Sequence, residues 1–185
     1  RALQHPRGDL HVAVRVGIKA RACRDDVVVV DQQQPVVGIG RVVIVAERER
    51  VPGVEPVRRT GAAIGAAAEY RNADEGWGLP VVSPFTGDPK LSWHIIESLV
   101  EDEFDVTTCQ EMLVDHGFTV PMNLLWPDKT ESRAIRTVPV AINTVQFPLP
   151  SPLRCFKLGK AIARAIQSYD EDLRVVVLGT GGLSH

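Results

Sequence analysis

Residues 175–185 read VVVLGTGGLSH, an almost wholly apolar run that enters a glycine-rich turn and ends on a histidine. Such a run predicts a strand at the centre of a sheet that is covered on both faces. Ligands of open α/β sheets bind beyond the carboxyl ends of the strands, where this turn would lie, and its glycines let the backbone approach a small molecule closely. A phosphate site is disfavoured, because the turn lacks both the Lys-Ser/Thr ending and the GxGxxG order. His185 is therefore a candidate functional residue, although its spacing fits a solvated residue at a tight strand exit equally well.

The residues before this run alternate between helix and strand patterns. Asp88-Pro89 and Ser151-Pro152 each place a capping side chain before a proline, and apolar residues at helical spacing follow both pairs. The predicted elements are helices over 88–102, through 122–125 and over 151–169, and strands over 104–109, 136–145 and 174–178. The expected fold class is α/β, with a central, mostly parallel sheet, helices on both faces, and the sheet incomplete at both ends.

Two different compositions divide the chain. Residues 1–70 contain no Ser, Asn, Phe, Trp or Met yet hold 15 Val and 10 Arg, whereas nine of the ten aromatic residues lie in 71–185. A segment that lacks Ser, Asn and large rings is poorly equipped to supply both the turns and the core of half a packed domain. We therefore treat residues 1–62 as a doubtful segment, either a divergent β-rich arm or a product of translation in the wrong frame or strand of a GC-rich gene. We assign residues 63–185 to one domain, and we expect residues 1–60 not to continue the sheet formed by residues 71–185.

The overall composition excludes several classes of protein. The 185 residues are 44% hydrophobic with a mean hydropathy of -0.01, and 21 basic against 23 acidic side chains give a net charge of -2. This balance argues against nucleic acid or an anionic membrane as a partner. The three cysteines follow no metal-ligand spacing and leave an odd one, which favours a reducing, cytoplasmic compartment. Neither a run of about 18 apolar residues nor a charged leader occurs, which argues against transmembrane and secreted proteins.

A second candidate site lies at residues 115–117, which read Asp-His-Gly and are predicted to form a loop between a strand and a helix. His116 can transfer a proton or bind a substrate anion near neutral pH, and an adjacent carboxylate could fix its tautomer. A neutral structural histidine is the commoner use of such a residue, so both interpretations stay open. His94 is predicted to pack within its helix, and His5 and His11 receive no role.

Five motifs occur in the order found in one enzyme family. They are Ala73-Asp74-Glu75-Gly76-Trp77-Gly78, Val114-Asp115-His116-Gly117 with Thr119-Val120-Pro121, Ser151 to Phe156, Glu171-Asp172-Leu173-Arg174, and Gly179-Thr180-Gly181-Gly182-Leu183-Ser184-His185. Over residues 63–185 the chain resembles the catalytic beta subunit of protocatechuate 4,5-dioxygenase and its gallate dioxygenase relatives, the class III extradiol enzymes. The resemblance implies a partial catalytic domain of a non-haem Fe(II) dioxygenase that opens the ring of a catechol-type acid, protocatechuate or gallate, with O2.

The resemblance also implies roles for two histidines. His185 would be the active-site acid/base that handles protons of substrate and oxygen, and His116 would bind and orient the substrate in the same pocket. The family holds Fe(II) with two histidines and one glutamate, a set that leaves positions open for the diol and for oxygen. Neither family histidine motif, Ser-His-Ile/Val-Pro or Tyr-Asn-Asp-His, occurs here, and the glutamate lies beyond residue 185. We therefore assign no metal ligand, and we expect this chain alone to bind no Fe(II) and to be inactive.

The implied partners are a small aromatic acid, O2, a small alpha subunit and further copies in an oligomer. A second hypothesis, of a different class, is a non-catalytic binding or scaffold protein that keeps the dioxygenase-like sheet without iron. The missing ligand motifs favour this second hypothesis, whereas the motif at 179–185 favours the enzyme. A third is another member of the same fold superfamily that acts on a different substrate.

Overall fold

A six-stranded sheet forms the centre of the computed structural model, which describes residues 11–15, 41–47, 61–75, 84–128, 130, 134–144 and 147–180. Its strands are β1 (His11–Arg15), β2 (Arg41–Glu47), β3 (Ala62–Gly65), β6 (Thr107–Cys109), β7 (Arg136–Ile142) and β8 (Val175–Thr180). A two-stranded sheet consists of β4 (Glu69–Tyr70) and β5 (Phe85–Thr86). The helices are α1 (Pro89–Glu101), α2 (His116–Leu125) and α3 (Pro152–Gln167).

The strands of the large sheet follow the order β1-β8-β2-β7-β3-β6. All neighbours are parallel except β3 and β7, which pair antiparallel. In the middle of β2, Val43 pairs with Val138 of β7 on one side and with Val177 of β8 on the other. The prediction of a mostly parallel sheet is confirmed.

Helices cover both faces of this sheet because successive strand residues point in opposite directions. Ile64, Val138 and Val175 pack against apolar side chains of α1 and α3 on one face. The opposite face carries Ala63, Ala141, Val176 and Leu178, which pack with Phe118 and Met122 of α2. The α/β fold class predicted from the sequence is therefore confirmed.

The starts of α1 and α3 are fixed by the capping side chains that the sequence indicated. Asp88 Oδ1 accepts the Leu91 N–H at 3.2 Å, and Ser151 Oγ accepts the Arg154 N–H at 3.2 Å. The two helices meet at His94, whose Nε2 lies 2.8 Å from the Ala165 carbonyl oxygen. His94 thus packs between helices, as expected. Within the described residues, no helix has the length and apolar character needed to cross a membrane.

Arg41 and Asp88 connect the start of β2 to the start of α1. The Arg41 Nε–H donates to the carboxylate oxygen Oδ2 of Asp88, while Oδ1 caps the helix. The Asp88 side chain is 2% exposed. A carboxylate buried away from water is costly unless it is paired, so the ion pair with Arg41 is needed to keep the Asp88 charge in this position.

Tyr70 fills a tight space between β3 and the turn before α1. Its hydroxyl oxygen accepts the Ala67 N–H at 3.1 Å, and its ring is fully buried. Burial raises the pKa of the Tyr70 phenol to about 12, a shift that the Ala67 hydrogen bond only partly offsets. A Cβ added at Gly87 would lie 2.0 Å from the Ala67 carbonyl oxygen, so a side chain at that position does not fit.

The prediction that residues 1–60 do not continue the sheet is wrong for β1 and β2. Both strands pair with β8, and β2 also pairs with β7 along its whole length. Val43 of β2 is fully buried. A central strand covered on both faces needs β-branched apolar residues and neither rings nor turn formers, so the Val-rich composition of this segment suits it. The boundary at residue 62 itself stays a prediction.

Candidate histidine–carboxylate site

Two backbone segments run side by side and bring a carboxylate to the start of α2. The Val114 N–H donates to the Arg71 carbonyl oxygen at 2.9 Å, and the Ala73 N–H donates to the Val114 carbonyl oxygen at 2.7 Å. Asn72 and Val114 form the resulting parallel bridge. Because the two segments advance in the same direction, Glu75 arrives beside the residue that follows Asp115.

That residue is His116, and Glu75 contacts it twice. Glu75 Oε1 lies 2.7 Å from His116 Nδ1, and Glu75 Oε2 accepts the His116 backbone N–H at 2.9 Å. The Glu75 side chain is 17% exposed and that of His116 is 51% exposed. The carboxylate therefore lies at the N-terminus of α2, where the helix dipole favours a negative charge, and the imidazole extends from it towards solvent.

The core beneath α2 holds this end of the helix in place. The Asp115 carbonyl oxygen accepts the N–H groups of Phe118 and Thr119, which begins the first turn. The Phe118 ring meets Phe85 edge to face, with centroids 5.0 Å apart. The His116 backbone is thus anchored while its side chain remains accessible.

This arrangement corrects one detail of the sequence-based interpretation and adds another. Residue 116 is the first residue of α2 rather than a loop residue, with Asp115 at the N-cap. The carboxylate that the structure places against the imidazole is that of Glu75, 41 positions away, a partner that the sequence interpretation did not name. Glu75 belongs to the motif at 73–78 that helped to carry the resemblance, which was the signal available for finding it.

A second polar feature lies at the carboxyl ends of β7 and β8, the strands that flank β2. Thr180 ends β8, and Thr144 follows β7 by two residues. Among the described residues, the hydroxyls of both are buried without a hydrogen-bond partner. Buried hydroxyls without partners are groups that a polar ligand can satisfy. The motif containing His185 continues from Thr180, but residues 181–185 lie outside the described residues, so the predicted proximity of His185 to His116 stays a prediction.

Neither feature makes an iron site. Within the ranges that the structure describes, no three His, Cys, Asp or Glu side chains come together as metal ligands. Glu75 and His116 supply only two potential metal ligands, a carboxylate and an imidazole. Their Oε1 and Nδ1 atoms already contact each other. A facial triad needs two histidines and one carboxylate around the same ion, so the described residues by themselves do not fit Fe(II).

An open, mostly parallel sheet with helices on both faces and polar groups at strand ends defines the class of α/β domains that bind small ligands beyond their strands. Residues 27–185 match the family model of the catalytic LigB subunit of aromatic ring-opening dioxygenase. The chain belongs to this family. The resemblance to class III extradiol enzymes is thereby confirmed.

Individual relatives agree with the family. The chain is 45% identical to a gallate dioxygenase of Pseudomonas putida over 113 residues, which are 61% of this chain and 33% of that enzyme. It is 38% identical over 91 residues to a 2,3-dihydroxyphenylpropionate/2,3-dihydroxicinnamic acid 1,2-dioxygenase of Photorhabdus laumondii, covering 49% of this chain and 27% of the relative. A Rhodococcus jostii enzyme of the same name is 36% identical over 102 residues, 55% of this chain and 31% of its own length. The chain thus spans about a third of the length of these curated relatives.

Proposed function

We propose that this chain is part of an extradiol dioxygenase that opens the ring of a catechol-type aromatic acid with O2. The observation that carries the proposal is the match of residues 27–185 to the catalytic subunit of ring-opening dioxygenases. Gallate is the first candidate substrate, because the gallate dioxygenase of Pseudomonas putida is 45% identical over the shared residues. Protocatechuate, which carries the same carboxylate and adjacent hydroxyls, is the second.

In this proposal His116 binds and orients the substrate. Its imidazole is half exposed on a backbone anchored in the core, which suits a side chain that must meet a ligand at a fixed place. His185 is the proposed acid/base, on the strength of its motif and its position after β8. The buried hydroxyls of Thr144 and Thr180 support a polar ligand near the carboxyl ends of β7 and β8.

The cofactor proposed for the longer protein is Fe(II), with its ligands outside the described residues. The described residues supply only the pair formed by Glu75 and His116, which is not a facial triad. The proposed role of His116 is therefore in substrate binding and not in metal binding.

The proposal extends to partners and location. The family description names a catalytic subunit, which supports a second, small subunit and an oligomeric enzyme. We propose a cytoplasmic protein without nucleic-acid or membrane partners. In support, Cys109 and Cys155, the two cysteines among the described residues, form no disulfide. We also keep residues 63–185 as the catalytic part, because all five motifs of the resemblance lie within them.

Ring opening by the natural polypeptide that contains residues 1–185 tests the proposal. O2 uptake and the absorbance of the ring-opened product would be followed with gallate, protocatechuate and 2,3-dihydroxyphenylpropionate. A monohydroxylated benzoate is the matched control, because it keeps the carboxylate and lacks the adjacent hydroxyls. We expect uptake with at least one diol and none with the control. Binding of diols without O2 uptake would favour the non-catalytic alternative.

A further inference from the structure

We propose that Glu75 is a positioning residue that holds His116 in the tautomer with the proton on Nδ1, so that Nε2 is the acceptor offered to the substrate. This inference rests on the proposed substrate-binding role of His116 and adds the residue that sets it.

The first argument is the two-point contact. Both carboxylate oxygens of Glu75 accept hydrogen bonds from the same residue, one from the ring and one from the backbone. The backbone contact fixes the carboxylate relative to the helix, and the ring contact then fixes the imidazole relative to the carboxylate. A single contact would leave the ring free to rotate about the carboxylate, whereas two contacts define one orientation.

The second argument concerns which atom carries the hydrogen. A carboxylate can only accept, so the ring nitrogen that faces it at 2.7 Å must be the donor. In a neutral imidazole the other nitrogen is then an acceptor. A hydrogen bond or proton transfer between a substrate and the neutral His116 ring is then made through Nε2, which accepts from a group such as a ring hydroxyl.

The third argument is that backbone hydrogen bonds fix the position of the Glu75 carboxylate beside His116. The hydrogen bonds of Val114 with Arg71 and of Ala73 with Val114 place the segment at 71–75 in one register beside 113–115. Both Ala73 and Val114 are buried. The Glu75 carboxylate is therefore held by the same core that anchors α2, which is the arrangement expected of a group that orients a functional histidine.

A substitution at Glu75 should change the tautomer in a defined way. In Glu75→Gln the amide oxygen can still accept the His116 backbone N–H, while the NH2 group now faces Nδ1 as a donor. Nδ1 must then become the acceptor, and the proton moves to Nε2. Glu69→Gln is the matched control, because Glu69 lies in β4, six positions before Glu75, and its contact at 3.7 Å is with the exposed Arg71.

The test is 15N NMR of ring-labelled histidines in the 185-residue chain, at a pH where His116 is neutral. The His116 signals would be assigned by their loss in His116→Ala, and the fold of each variant checked by its amide spectrum. We expect a protonated Nδ1 and an unprotonated Nε2 in the wild type and in Glu69→Gln, and the reverse in Glu75→Gln. A protonated Nε2 in the wild type, or an unchanged tautomer in Glu75→Gln, would overturn the inference.

This measurement needs no substrate, so its failure is distinguishable from failure of the proposed function. In the ring-opening enzyme we expect Glu75→Gln to lower kcat/KM by about 10- to 100-fold, the usual effect of removing a group that orients a functional histidine, and Glu69→Gln to leave it unchanged. An unaltered kcat/KM in Glu75→Gln, with the tautomer reversed, would show that the tautomer does not serve the substrate and would also overturn the inference.

Discussion

Arg41 and Asp88 form an ion pair across 47 positions of sequence, and the same carboxylate caps helix α1. We expect Asp88→Ala to lower the free energy of unfolding by about 3 kcal/mol, because it removes a helix cap and the partner of a largely buried guanidinium. Asp88→Asn keeps an acceptor for the Leu91 N–H and should cost less. Denaturant unfolding measures both. As a control, Asp102→Ala removes the exposed contact with Arg164 and should cost below about 0.5 kcal/mol. Equal losses at positions 88 and 102 would contradict this assignment.

Tyr70 should make stability fall at alkaline pH. Its folded pKa of about 12 lies above the ordinary value of 10.0. The unfolded phenol therefore loses its proton first as the pH rises. The neutral phenol contributes its full share to the free energy of unfolding below pH 10. This contribution, roughly 3 kcal/mol, is lost progressively as the pH rises to about 12. Unfolding of the wild type and Tyr70→Phe would be compared across this range. The variant should lack this part of the decline, and parallel curves would refute the prediction.

Replacing either of two glycines by alanine should change the stability of the protein, in opposite directions at the two positions. At Gly87 the new Cβ would meet the Ala67 carbonyl oxygen at 2.0 Å, so we expect Gly87→Ala to cost about 3 kcal/mol through backbone displacement. At Gly159, on the exposed side of α3, a Cβ meets nothing within 4 Å. Gly159→Ala should therefore stabilise by about 0.5–1 kcal/mol through helix propensity. Thermal unfolding of both variants checks the pair, and a stable Gly87→Ala would show that the turn adapts.

Removing the Thr180 hydroxyl should stabilise the protein. Thr180→Val keeps the branched shape and deletes a buried oxygen that has no partner among the described residues, which we expect to raise the free energy of unfolding by about 1 kcal/mol. Thr137→Val is the matched control, because the Thr137 hydroxyl donates to the Thr86 carbonyl oxygen at 2.9 Å. That variant should lose about 1–2 kcal/mol. A similar loss in both would mean that the Thr180 hydroxyl is satisfied.

His185 should control turnover in the ring-opening enzyme. We expect His185→Ala to lower kcat by about 10²–10⁴-fold, the usual contribution of an acid/base group, while the metal content of the same samples stays constant. His116→Ala should mainly raise KM, because we propose that this residue orients the ring. Steady-state kinetics with metal analysis separates the two. A loss of metal in proportion to activity would identify His185 as a ligand or a structural residue.

Local signals were sufficient for most of the elements. The caps at Asp88 and Ser151 fixed the starts of two helices within a residue, because a capping side chain acts on the N–H groups of its own first turn. The apolar run at 175–178 likewise marked a strand buried on both faces, and Val175, Val176 and Leu178 are buried in β8. In these cases the residues that determine the structure are neighbours in sequence.

Contacts between distant residues could not be predicted in the same way. Asp115 was considered as a partner of His116 because it is adjacent, but the Glu75 contact depends on the bridge of Asn72 with Val114, which joins segments about 40 positions apart. The valines of β2 did not indicate which strands pair with β2. A strand at the centre of a sheet is determined by its partners, which here lie about 90 and 130 positions later in the chain. Composition alone therefore led to the wrong expectation for this strand.

The central place of β2 has a consequence for synthesis. Its neighbours β7 and β8 are made later, so one edge of β2 stays unpaired until β7 has been made and the other until the ribosome has passed Thr180. Until then the growing chain exposes Val42, Val43, Ile44 and Val45, a short run without charge or proline that can pair with other strands. We expect premature termination between β2 and β8 to give aggregating products, so that yield during expression depends on how quickly this interval is translated.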